Sequence, residues 1–241
     1  MRALTLLFCA HTVAAGARVA CAQNLELHYD WRHTVDSRNN PSNLPALTFK
    51  SFKGLQFGSF LLKMEVDLDG SRRNASKIYT EVSQTLKFWK PEMFLHLEYT
   101  GGLGLSGGGT GGYYLDNAYI IGAAHPFQWQ GSWGNIYLAY KYTNFPHASH
   151  DPQLSLYWGK GFQNGWDFAS TAVVWTQNKN HGDAWTASLS GKRFAWLVEN
   201  EIWYKTFADI SVGSEIRVSY NVYATDARLV VYPTIAMRYL F

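Results

Sequence analysis

Charged side chains in this sequence fall at every second position. Glu26, His28, Asp30 and Arg32 alternate with Leu25, Leu27, Tyr29 and Trp31, so an extended strand would gather four ionisable groups on one face and four apolar ones on the other. Lys63, Glu65 and Asp67 repeat the pattern against Leu62, Met64 and Val66, and His96 and Glu98 repeat it against Leu95 and Leu97. Glu199, Glu201 and Trp203 form a fourth row, Glu215 and Arg217 a fifth, and Arg238 stands alone among apolar neighbours near residue 241. Charges in a dry wall would be prohibitively costly, so these rows must meet water or one another. Two chemistries follow: a salt-bridge lattice that stiffens a wall, or a charged lining that contacts a passing solute.

Other residues invite a chemical reading. Tyr79, Tyr137, Tyr157, Trp175 and Trp203 fall on parities that point either into a lumen, where ring faces stack on solute rings, or out to an interfacial girdle. The run from Gly101 to Gly109 lacks the Lys-Ser/Thr of a phosphate-binding loop and reads as an outer loop. His147, Ser149 and His150 have the spacing of a membrane phospholipase dyad, but no third member is identifiable. No metal site and no cofactor is expected.

These rows require strands that have water on one face and lipid on the other. No window after the first residues approaches the roughly 20 apolar residues of a membrane helix. Charged residues make up 16% of the chain, below the about 25% usual in soluble domains, while aromatic residues reach 16%. Helical spacing would scatter the polar residues round a cylinder. The expected fold is therefore all-β: a closed antiparallel transmembrane β-barrel, in which strands alternate apolar-out and polar-in.

The two ends give the reading a direction. Arg2, the apolar stretch from Ala3 to Ala17 and the small residues Ala20-Cys21-Ala22 read as an export signal over 1–22, leaving a single barrel domain over 23–241. Loss of that segment leaves 19 basic against 18 acidic residues, which implies no nucleic-acid polymer as partner. Both cysteines, Cys9 and Cys21, fall within it, so no disulfide is expected. Val231, Pro233, Ile235, Met237, Tyr239 and Phe241 alternate to a last aromatic. Tyr239 and Phe241 resemble the assembly signal of outer-membrane barrels, which implies outer-membrane lipid and the barrel-assembly machinery as partners.

Turn chemistry sets the count. Short turns are expected at Lys53-Gly54, Trp89-Lys90-Pro91, His125-Pro126, Gly161 to Gly165 and Thr206 to Asp209, and longer loops at 34–43, 101–112, 143–152 and 178–186. Thirteen strand-like runs result. A barrel with both ends on one side needs an even number, so 184–190 and 194–204 are merged into one long strand and the count becomes twelve.

Leu25 to Asp30, Asn117 to Gly122, Glu199 to Tyr204, Gly213 to Ile216 and Pro233 to Phe241, taken together, resemble a family of outer-membrane proteins of Bacteroidota that looks related to the nucleoside-specific channel-forming, Tsx-like porins. The resemblance spans nearly the whole chain after the signal. It implies a narrow twelve-strand channel for nucleosides or other small polar solutes. Relatives have Glu-Pro-Gln where this chain has Glu199-Asn200-Glu201. An occluded barrel whose outer loops bind a ligand, and a lipid-modifying enzyme, are the alternatives.

Overall fold

The alternating rows form one closed wall. The computed structural model describes residues 21–69, 74–87, 93–105, 111–222 and 228–241. Its strands are β1 (Cys21–Asp30), β2 (Leu44–Leu55), β3 (Gly58–Asp67), β4 (Lys77–Leu86), β5 (Phe94–Leu105) and β6 (Gly112–Trp129), followed by β7 (Ser132–Thr143), β8 (Ser149–Gly161), β9 (Trp166–Asn178), β10 (Lys192–Phe207), β11 (Ile210–Tyr220) and β12 (Leu229–Leu240). Each strand pairs antiparallel with its sequence neighbours, and β1 closes on β12 in the register Glu26 opposite Arg238 and His28 opposite Ala236. Closure leaves no free edge and satisfies the backbone within the wall, as a bilayer demands.

The pleat sorts side chains as the alternation predicts. Glu26 is fully buried inside the barrel, whereas its neighbours Leu25 and Leu27 are 44% and 45% exposed on the outside. The outer face carries aromatic residues toward both rims: Trp166 packs on Tyr204 near the short turns, and Trp196 stacks on Tyr220 toward the other end. Such girdles mark the two interfaces of a transmembrane barrel.

Two-residue turns at 56–57, 130–131 and 208–209 lie at one end, the longest loops, 31–43 and 179–191, lie at the other, and the first and last strands begin and finish at the end with the short turns. The loop after β1 holds α1 (Arg32–Val35), a single helical turn. Arg32 therefore leaves the β1 row, and its guanidinium turns back on Asp30 at 2.6 Å.

Several expected boundaries move. Lys53 and Gly54 lie inside β2, and the turn falls at Gln56-Phe57, because the β2–β3 ladder continues to Leu55 opposite Gly58. His125 and Pro126 lie inside β6, whose hairpin turns at Gln130-Gly131. Both turn residues have positive φ, 48° and 75°, the conformation of a two-residue turn that matches strand twist. Residues Gly101 to Leu105 complete β5, and 149–152 begin β8, so both loops are shorter than expected.

Residues 184–190 do not extend β10. Asp183 Oδ1 accepts the N–H groups of Trp185 and Thr186, and this local turn competes successfully with a ladder. The turn expected at Trp89-Lys90-Pro91 and the signal up to residue 20 lie outside the described residues; Cys21 and Ala22 already belong to β1. At the other end Tyr239 and Phe241 stack on each other, and Phe241 stacks on Phe49 of β2.

Candidate functional site: the barrel lumen

The inward rows of five strands meet in one lattice. Lys50 of β2 bridges Glu26 of β1 at 3.0 Å and Glu201 of β10 at 2.7 Å. Lys63 of β3 reaches Glu199 of β10 at 3.2 Å. Arg217 of β11 joins three carboxylates: Glu199 at 2.7 Å, Glu65 at 2.9 Å and Glu215 at 3.3 Å. Round the ring β3 and β10 stand five strands apart, so the Lys63–Glu199 pair is a chord across the lumen rather than a contact along the wall. A guanidinium fork suits this hub, because its planar donors serve several carboxylates at once.

Aromatic rings complete this side. Trp203 is 1% exposed, donates its indole N–H to Glu201 Oε2 at 2.9 Å, and lies with its ring 4.5 Å beneath the Arg238 guanidinium. His28 meets it edge-on. Gly213 stands opposite Trp203 in the β10–β11 register, and a Cβ there would come within 2.6 Å of an indole carbon. Its missing side chain is the space in which the indole lies against the wall. Arg238 also reaches Asp167 of β9 at 3.5 Å.

The opposite wall, built from β4 to β9, is less crowded. A cavity of 2270 Å³ is lined there from Phe57, Gln130 and Phe162 at the short-turn end to Phe145, His181 and Val222 at the long-loop end. Between these limits it is lined by Glu81, His96, Glu98, Tyr137 and Tyr157, by Lys141 and Trp175, and on the lattice side by Lys63, Glu199 and Arg217. Lys141 Nζ sits 4.2 Å over the Trp175 ring. Behind the lattice lies a void of 20 Å³ among His28, Asp30, Glu65, Glu215 and Arg217. The lattice thus crowds the β12–β1–β2 side at its own depth, while the cavity runs along β4 to β9 and reaches Asn24 and Phe52 of β1 and β2 toward the short-turn end.

Of the residues singled out in the sequence, Glu26, Lys50's partner Glu201, Lys63, Glu65, Glu199, Glu215 and Arg217 converge in the lattice. Asp67 pairs instead with Lys77 at 2.5 Å, and His96 with Glu98 at 2.9 Å on the hollow side. β2 alone separates β1 from β3, so the groups that face Lys63 and Glu65 across the lumen come from β10 and β11 rather than from the β1 row. Arg238 does close against β1 in register, yet its head group is turned to Trp203 and Asp167. Tyr79, Tyr137, Tyr157, Trp175 and Trp203 all line the cavity.

The dyad reading does not fit the geometry. Ser149 is buried, donates its hydroxyl to Asp151 Oδ2 at 2.5 Å and accepts the Asn178 N–H, while His150 lies outside against Tyr140 and Tyr142. His147 is held by Asn180. Among the described residues no three His, Cys, Asp or Glu side chains converge as metal ligands.

Lys50, Glu81, Lys141 and Asp151 were not anticipated as lumen groups. Asp151 sits where a loop was expected and Lys50 just before an expected turn, and counting their parity from Leu44 and from Leu154 would have found them. Glu81 lies on a strand with polar residues on both faces.

The barrel has the fold of solved outer-membrane porins. It superposes on the NanC porin with a TM-score of 0.54 at 13% identity, covering 91% of this chain and 100% of that one. LpxR from Salmonella typhimurium follows at 0.45 and 8% identity, covering 90% and 100%, and a further porin at 0.44 and 6%, covering 93% and 100%. No curated protein matches the sequence. The whole of this wall and its lining, residues 22–241, is matched by one family model, and the chain belongs to that family, described as Domain of unknown function (DUF5020).

Proposed function

We propose that the protein is an outer-membrane channel through which small polar solutes diffuse passively, with the lattice as a fixed bank and the hollow side as the path. The observation that supports this most is the cavity lined from one rim of the barrel to the other by polar, charged and aromatic side chains. Eight-stranded barrels fill with side chains and sixteen-stranded porins hold water; here twelve strands leave half of each. Charges and ring faces along the path set preference, as in other pores.

Nucleosides are the finer reading, implied by the Tsx-like resemblance; the rings of Tyr137, Tyr157 and Trp175 supply stacking faces for a base, each worth about 1 to 3 kcal/mol. No enzymatic step is assigned, because Ser149 is bonded to Asp151 rather than to a histidine. Purified protein in planar bilayers should give discrete current steps, and vesicles containing it should swell in uridine. Vesicles that swell in neither uridine nor a pentose of similar width, with no steps in the bilayer, would overturn the proposal.

A further inference from the structure

The charges of the lumen are unevenly matched. In the lattice each carboxylate is within 3.3 Å of a Lys or Arg, and Asp30, Asp67 and Asp151 have their own basic partners outside it. Glu81 and Glu98, on the hollow wall, have no Lys or Arg in salt-bridge contact among the described residues. They come from adjacent strands in offset register, Glu81 opposite Thr100 and Ser83 opposite Glu98, with both side chains lining the cavity.

Three rings frame them. Tyr157 donates its hydroxyl to Glu81 at 3.3 Å, Tyr137 stands edge-on to Tyr157 at 5.5 Å, and the His96 ring lies 4.2 Å from Tyr137. His96 is 3% exposed; its Nε2 is 2.9 Å from Glu98 Oε2, and its Nδ1 is buried without a partner. If Nε2 donates to the carboxylate, Nδ1 is left as a buried acceptor behind it. Two carboxylates and the negative faces of tyrosine rings call for a donor that carries positive charge. Among the described residues the same groups do not converge as metal ligands.

We infer that Glu81, Glu98 and His96, walled by Tyr137 and Tyr157, form a subsite for the protonated amine of a small organic cation. The inference rests on the channel reading only in that the ligand arrives through the lumen. Of the cations lining the cavity beside them, Lys63 is held at 3.2 Å by Glu199 and Lys141 lies 4.2 Å over the Trp175 ring, so neither occupies the site of the incoming ammonium.

Calorimetric titration of the folded protein in detergent tests this without any current. Tyramine should bind saturably and at least tenfold more tightly than 4-hydroxyphenylacetate or p-cresol, which keep the ring and replace the ammonium by an anion or by nothing. The isosteric E81Q/E98Q variant should lose tenfold or more for tyramine and change little for p-cresol. Equal affinity for tyramine and p-cresol in the unaltered protein, or an unchanged tyramine affinity in the variant, would overturn the subsite, and the first comparison stands even where the variant fails to fold. Tyramine binding in a barrel that passes no current would support the subsite and remove the channel reading; current without tyramine preference would do the reverse.

Discussion

Arg217 holds the lattice together, because its one guanidinium neutralises Glu65, Glu199 and Glu215 from three directions. Removing a buried cation strands its partners, which costs more than the pair itself contributes. Arg217→Met should therefore lower stability by about 3 kcal/mol, and Arg217→Lys, which keeps the charge and loses the fork, by less. Urea unfolding in lipid vesicles checks this; equal stability of Arg217→Met and the unaltered protein would mean that water, not the lattice, satisfies these carboxylates. The ionisable rows were legible from residue type and spacing alone, because only a water-facing or self-paired row tolerates Glu26, His28 and Asp30 in succession. Which partner each would choose was not, since the Lys63–Glu199 chord depends on how a closed ring folds distant strands toward each other.

The strand is the scale at which the sequence speaks most clearly. On β3 every second residue is apolar, and Leu62 faces outward opposite Val82 while the adjacent pair Leu61 and Ser83 lines the cavity. Leu62→Arg should impair folding by about 2 to 4 kcal/mol near the midplane, whereas Ser83→Arg, with water available, should be far milder. Heat-modifiable gel mobility after refolding into lipid separates the two, and equal tolerance would refute the face assignment. On β4 the pattern weakens, because Thr80 and Gln84 put polar groups on the outer rows beside Ile78 and Val82. That mixture is why Glu81 stayed hidden.

β10 carries a related exception. Asn200 lies on its outer row midway between the rim aromatics Trp196 and Tyr204, and its side-chain oxygen accepts the Ser170 hydroxyl at 2.9 Å. An amide in lipid depends on that bond. Ser170→Ala alone should cost about 1 kcal/mol, while Ser170→Ala together with Asn200→Leu should restore or raise stability, since both partners are then apolar. A double variant less stable than Ser170→Ala would contradict a lipid-facing position. Turns were the least legible elements: Lys53-Gly54 and His125-Pro126 have turn composition, yet the ladders run through them until positive φ at Gln130 and Gly131 closes a hairpin.

At the scale of the whole molecule, twelve strands, the single pairing order and the short and long ends all follow from alternation plus closure. What alternation does not give is how the lumen is divided. The lattice occupies one side because β1, β2, β3, β10 and β11 each aim charge inward at similar depth, and the cavity lies opposite them against β4 to β9.

The central claim is that this hollow side is the path of conduction, and a pair of adjacent cysteines tests it most directly. Ser83→Cys places a thiol in the cavity and Val82→Cys places one on the outer face of the same strand. Single-channel current should fall in steps when Ser83→Cys is treated with a bulky, charged methanethiosulfonate and should be unaffected for Val82→Cys. Absence of current before treatment, or the same response from both positions, would contradict an open lumen along β4 to β9.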